Sequence, residues 1–106
     1  MPHVIQLAIK LANRSTHRQY KMAAVLLRGG SIISKAHNTT TRNGHCERRA
    51  LRPGIDARGT VLIVVRSNMR CSKPCDRCME AIRAAGVKKI GYVDSNLHFV
   101  WQKVVD

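Results

Sequence analysis

The sequence predicts an α/β fold, in which helices pack on a mixed five-stranded sheet to form a three-layer domain. The run from Thr60 to Val65 is apolar and mostly β-branched, which is typical of a central strand buried on both faces. Helix and strand patterns follow one another in the order α-β-β-α-β-α-β-β. With 106 residues, the chain is long enough for one such domain, residues 1–106.

The first half of the chain begins with an amphipathic helix over about residues 2–14, where apolar residues recur at helical spacing. Two short apolar runs then flank Gly29-Gly30, a pair that predicts a hairpin turn. Residues 38–44 are rich in Thr, Asn and Gly and predict a loop. A short helix over residues 45–51 must end before Pro53-Gly54.

In the second half, Ser72 is a candidate N-cap with Pro74 in the first turn, and Gly86 would end the helix. Strands are predicted at residues 87–93 and 97–105. The connection between them, residues 94–96, is too short for a crossover, so these two strands should form an antiparallel C-terminal hairpin.

The chain is strongly basic: 19 Lys and Arg against 6 Asp and Glu give a formal charge of +13. Such an excess attracts polyanions, although a merely soluble basic surface explains it as well. Only four residues are aromatic, so the interleaved aromatics of nonspecific single-strand binders are missing. No apolar run is long enough to span a membrane and no targeting peptide is evident, so we expect a cytoplasmic protein with no membrane partner.

Residues His45, Cys75 and Cys78 have the chemistry and spacing of zinc ligands, and Glu47 stands two positions after the histidine. A catalytic zinc site needs three protein ligands, an open fourth position and a base beside it. Three cysteines are crowded into residues 71–78. This crowding favours metal binding by thiols in a reducing compartment and argues against disulfide bonds. A thiol at a helix N-terminus should also have a lowered pKa.

This pattern, H-x-E followed by P-C-x-x-C, resembles the signature of the zinc-dependent cytidine deaminase superfamily, including its small viral members. The resemblance covers most of the chain and implies the cytidine deaminase-like α/β/α fold with Zn²⁺ as cofactor. It implies that His45, Cys75 and Cys78 bind the zinc and that Glu47 relays protons between water and the substrate. An antiparallel C-terminal hairpin resembles the cytidine deaminase branch and certain polynucleotide deaminase toxins.

The resemblance also implies several substrate-binding positions. Asn38, at the end of the second hairpin strand, would hold a sugar hydroxyl, although asparagine is equally common there as a turn residue. The backbone amides of Cys46 and Cys75 would face the base, and Pro74 would fix the turn beside it. Relatives often form dimers or tetramers that complete the pocket, so a homo-oligomer is also implied.

Two features leave alternatives open. Cys71 could join the other three ligands in a closed Cys₃His zinc site, which would stabilise a binding module without catalysis, although it lies off the face shared by Cys75 and Cys78. Basic residues near the motif, Arg42, Arg48, Arg49, Arg52 and Lys73, could bind substrate phosphates or simply form a solvated surface.

The sequence thus predicts a zinc-dependent hydrolytic deaminase that converts cytosine to uracil, with single-stranded nucleic acid as the favoured substrate. A free cytidine, deoxycytidine or deoxycytidylate is the alternative substrate. A catalytically silent, zinc-stabilised nucleic-acid-binding module is the competing hypothesis.

Overall fold

A computed structural model of the chain describes residues 2–17, 20–39 and 45–104. Arg42, one of the candidate phosphate ligands, lies outside these residues. The elements follow the predicted order: α1 (Pro2–Ala12), β1 (Met22–Arg28), β2 (Ser31–His37), α2 (Cys46–Ala50), β3 (Val61–Arg66), α3 (Asp76–Ala84), β4 (Lys89–Val93) and β5 (Phe99–Lys103).

The five strands form one mixed sheet in the order β2-β1-β3-β4-β5. Strands β3 and β4 are parallel, and the other neighbours, including the predicted C-terminal hairpin β4–β5, are antiparallel. The hairpin between β1 and β2 turns at Gly29 and Gly30, whose positive φ angles of 57° and 85° suit a type I′ turn. Both edge strands, β2 and β5, therefore belong to hairpins.

Alternate residues of the central strands enter two separate apolar clusters, as the predicted three layers require. Val25 and Ile63 face α1, where they pack with Ala8. Leu26 and Leu62 face the opposite side, where they pack with residues of α2 and α3 such as Ala50 and Ile82. The middle of β3, residues 62–65, is fully buried, which confirms the prediction of a central strand.

The prediction that Ser72 caps α3 is wrong, because Cys75 is the N-cap and the helix begins at Asp76. Pro74 accordingly precedes the cap instead of lying in the first turn. Ser72 is buried; its hydroxyl donates to the carbonyl of Val64 at 2.7 Å and accepts from the amide of Val93 at 2.9 Å. It thereby ties the loop before α3 to the ends of β3 and β4.

This topology brings several chain segments to one end of the sheet. Strands β3 and β4 end there, β1 begins there, and Asn38 follows β2 at the same end, with its amide bonded to the carbonyl of Met22. The N-termini of α2 and α3, which pack against each other, lie close together. Helix α3 ends as predicted at Gly86, where φ is +83°. None of the described helices is long and apolar enough to cross a membrane.

Candidate metal centre and cavity

The three predicted zinc ligands come together in space. One ligand atom from each of His45, Cys75 and Cys78 lies within 4.8 Å of the others, and Cys78 Sγ is 3.4 Å from His45 Nδ1. Tetrahedral zinc with ordinary Zn–S and Zn–N bond lengths would hold a sulfur and a nitrogen about 3.6 Å apart. The donor set and its spacing therefore fit zinc.

Cys71 is not part of the metal-ligand cluster. Cys71 is exposed, and among the described residues the close metal-ligand cluster consists of His45, Cys75 and Cys78 alone. The arrangement offers three protein ligands, as a site with an open fourth position requires. The closed Cys₃His site is therefore not formed in this structure.

The predicted lowering of a thiol pKa at the start of α3 is wrong for Cys78. Burial, followed by the nearby Glu47 carboxylate, raises the pKa of Cys78 to about 12. The Arg48 guanidinium, which bonds to the same sulfur, acts in the opposite direction. Desolvation thus dominates at Cys78, whereas a bound cation would favour the thiolate and displace the proton.

Glu47 lies in the first turn of α2 and is only 3% exposed. Together with His45 and Cys75 it lines a cavity of about 220 Å³. The Glu47 carboxylate is therefore largely shielded from bulk solvent. Because burying a carboxylate is costly, a side chain in this position suggests a use beyond folding.

The thiol of Cys46 makes a contact that the sequence did not suggest. Its Sγ donates a hydrogen bond to Oε1 of Glu47 at 3.1 Å. Cys46 is buried, and burial followed by the Glu47 charge raises its pKa well above the usual value, so the thiol keeps its proton. No spacing rule would have identified this side chain as a hydrogen-bond donor to its neighbour.

Asn38 lies on the cavity wall and is buried. Its Oδ1 accepts hydrogen bonds from the amide of Met22 and the hydroxyl of Ser15, and its Nδ2 donates to the carbonyl of Tyr20. The side chain therefore fastens the segment before β1 to the end of β2. Because an amide nitrogen carries two hydrogens, these bonds leave one N–H of Asn38 for a ligand.

The remaining predicted positions divide between the cavity and its surroundings. The cavity lining includes Cys46, Lys73 and Cys75, whereas Pro74 is buried between Lys73 and Cys75 and is not part of the lining. Four further lining residues were not identified from the sequence, which gives them no distinctive spacing: His17, Tyr20, Met22 and Thr39.

The three described arginines of α2 and its end have different surroundings. Arg48 is half-buried, with a buried Nε that has no hydrogen-bond partner among the described residues. Arg49 and Arg52 are exposed and point to a separate groove with Lys35. Only Arg48 therefore contacts the metal centre.

Comparison with known proteins agrees with this geometry. Residues 2–94 match the model of the cytidine and deoxycytidylate deaminase zinc-binding region. The chain belongs to this family. The match confirms the resemblance based on the motif, and with the clustered ligands it identifies zinc as the cofactor of the domain. The matched region ends before β5, so the C-terminal strand lies outside it.

Several solved structures share the fold. RibD of Acinetobacter baumannii is 27% identical with a TM-score of 0.66; the alignment covers 83% of this chain but only 26% of RibD. This chain thus spans about a quarter of that protein. A tRNA deaminase that performs A-to-I editing at the wobble position is 25% identical, with a TM-score of 0.66 and coverages of 84% and 72%.

A deoxycytidylate deaminase of cyanophage S-TIM5 also matches, with a TM-score of 0.64 over 85% of this chain and 82% of its own length. At 23% identity, this likeness shows the fold alone. Among curated proteins, no relative matches the chain. The α/β deaminase fold and membership of a hydrolytic deaminase superfamily are thus shown.

Proposed function

We propose that this protein hydrolyses the amino group of cytosine to give uracil and ammonia. The observation that carries the proposal is the burial of Glu47 in the same cavity as the zinc ligands His45 and Cys75. The cytosine preference is supported by the family description and by the antiparallel β4–β5 hairpin.

In this mechanism, zinc supplies the Lewis acidity that makes water a nucleophile at neutral pH. Glu47 would take the two protons of the attacking water in turn and pass one to the ring nitrogen and the other to the amino nitrogen, which leaves as ammonia. The water oxygen forms a bond to the ring carbon as the bond from that carbon to the amino nitrogen breaks. The thiol of Cys46 holds the Glu47 carboxylate in place.

Substrate contacts follow from the cavity wall. The second N–H of Asn38 would donate to a sugar hydroxyl, and the backbone amides of Cys46 and Cys75, which lie at the helix starts, would face the base. Pro74 would act through the orientation of Cys75. The cavity is smaller than the roughly 300–1,000 Å³ of pockets that enclose drug-sized ligands, so it suits a base with the sugar at its mouth and the phosphate outside.

A substrate panel tests the proposal. The protein is incubated with cytidine, deoxycytidylate, single-stranded DNA, single-stranded RNA and adenosine, and the products are separated by chromatography. We expect uracil products, and a Glu47→Gln variant should be slower by about 10²–10⁴-fold with unchanged zinc content. Glu80→Gln, which changes the chain's other glutamate on the exposed face of α3, is the matched control and should stay active.

The outcomes separate the competing hypotheses. Inosine in place of uracil would identify adenine as the base. No deamination of any substrate, or equal rates for the protein and Glu47→Gln, would favour the zinc-stabilised binding module. The homo-oligomer implied by the resemblance stays a prediction.

A further inference from the structure

A second groove lies beside the cavity, across the edge formed by β2. Its volume is about 450 Å³, and it runs between α1 and α2. Residues of all three elements, together with Arg52 after α2, line it: Leu11, Lys35, Ala36, His37, Arg49 and Arg52. The lining thus combines three permanent cations with a histidine and two small or apolar side chains.

Within the part of the chain that the structure describes, no acidic side chain neutralises the positive charge of this groove. No carboxylate of these residues lines it, and the ion pair found among them is Arg58 with Asp56, elsewhere on the surface. Lys35 and Arg49 are exposed, and Arg52 donates to the hydroxyl of Ser34 at 3.2 Å, which is a neutral partner. Cations brought together without counter-charges repel one another, so their convergence favours an anionic ligand.

Residues close together on β2 and on α2 line the groove and the cavity. On β2, His37 lines the groove and the next residue, Asn38, lines the cavity. On α2, Glu47 faces the cavity, whereas Arg49 faces the groove. At the ordinary rise of a strand, Lys35 stands about 10 Å from Asn38, a distance comparable to that between a bound base and the neighbouring nucleotides of its strand.

We propose that this groove binds the phosphodiester backbone of a single-stranded polynucleotide whose target base occupies the cavity. The inference rests on the proposed function for the cavity and names the substrate class. A free nucleotide has no phosphate that far from its base, so it would leave these cations without a partner. The described lining residues include no Phe, Tyr or Trp, which suits phosphate contacts rather than base stacking.

Binding is measured separately from catalysis, by fluorescence anisotropy of labelled oligonucleotides of about 16 nucleotides, DNA and RNA, that contain no cytosine. The groove variant is Lys35→Gln/Arg49→Gln. The matched control is Lys88→Gln/Lys103→Gln, which removes the same charge from two exposed residues near the opposite sheet edge. Zinc content, thermal stability and oligomeric state of each variant are compared with those of the unaltered protein.

The groove variant should bind roughly tenfold more weakly at 0.15 M salt, and its slope of log affinity against log salt should fall by about 1.4, as expected for two lost phosphate contacts on a single strand. The control should bind nearly as tightly as the unaltered protein. Equal weakening of both variants would overturn the proposal in favour of diffuse attraction to a basic surface.

Two other results would also overturn it. If neither oligonucleotide binds the unaltered protein, the groove has another ligand. If the groove variant changes only the oligomeric state, the groove contacts a second copy of the chain. Deamination of free cytidine or deoxycytidylate by the unaltered protein would show that the proposed function survives either result.

Discussion

Sγ of Cys78 lies 3.4 Å from Nδ1 of His45, although the two residues are 33 positions apart in the chain. The helix starts that carry them approach each other because α2 and α3 pack on the same face of the sheet. The fold therefore assembles the metal centre, and a bound metal should in turn stabilise this packing.

Cysteine substitutions test which thiols hold the metal. Cys78→Ser should lose zinc, because it removes a ligand of the cluster, whereas Cys71→Ser should keep it. If zinc contributes about 4 kcal/mol, the Cys78 variant should melt roughly 15 °C lower than the unaltered protein. Elemental analysis and thermal denaturation measure the two effects. Loss of zinc from Cys71→Ser would instead support the closed Cys₃His site.

The hydroxyl of Ser72 should contribute to stability because it bonds to two different strand ends. Ser72→Ala leaves the carbonyl of Val64 and the amide of Val93 with one partner fewer in a buried place. We expect a loss of about 2 kcal/mol, or roughly 10 °C in Tm. Ser95→Ala, in the exposed turn before β5, is the control and should change the Tm little. An equal Tm for both variants would contradict the bridging role.

Ser72 also shows where prediction from sequence stops. Strand β3 and the hairpin at Gly29-Gly30 could be predicted because burial and turn geometry leave a local pattern. The cap rule for Ser72 was equally local, but its hydroxyl instead bonds to residues 8 and 21 positions away. Tertiary contacts thus overrode a local preference.

In the candidate site, too, some features could be predicted from the sequence and others could not. The zinc ligands and Glu47 have recognisable spacing in the chain, so the sequence predicts them. The hydrogen bond from Cys46 and the convergence of Lys35 with Arg49 depend on side-chain direction and on the approach of β2 to α2. Neither leaves a spacing pattern, so only the folded structure shows them.

Gly86 should tolerate substitution poorly for two separate reasons. Its φ of +83° strains any side chain, and an added Cβ would lie 2.9 Å from Cγ and 3.3 Å from Cα of Arg58. Gly54 has a similar φ of +92° but open space around it, so Gly54→Ala isolates the strain.

We therefore expect Gly54→Ala to cost about 1 kcal/mol and Gly86→Ala about 2–3 kcal/mol, because the second variant must also displace the Arg58 backbone. Urea denaturation measures both values. Equal costs would mean that the chain around Arg58 moves aside without penalty.

The bond from Cys46 to Glu47 predicts a specific kinetic effect. Cys46→Ala removes the donor that holds the carboxylate, so kcat should fall about fivefold, equivalent to roughly 1 kcal/mol, whereas KM should change little. Cys46→Ser restores a donor of similar size and should recover most of the rate. Steady-state kinetics on the substrate found in the panel, with zinc content and Tm as controls, measure these effects. Equal losses in both variants together with a lower Tm would show that the thiol matters for packing alone, since a serine hydroxyl replaces the hydrogen bond but not the apolar bulk of sulfur.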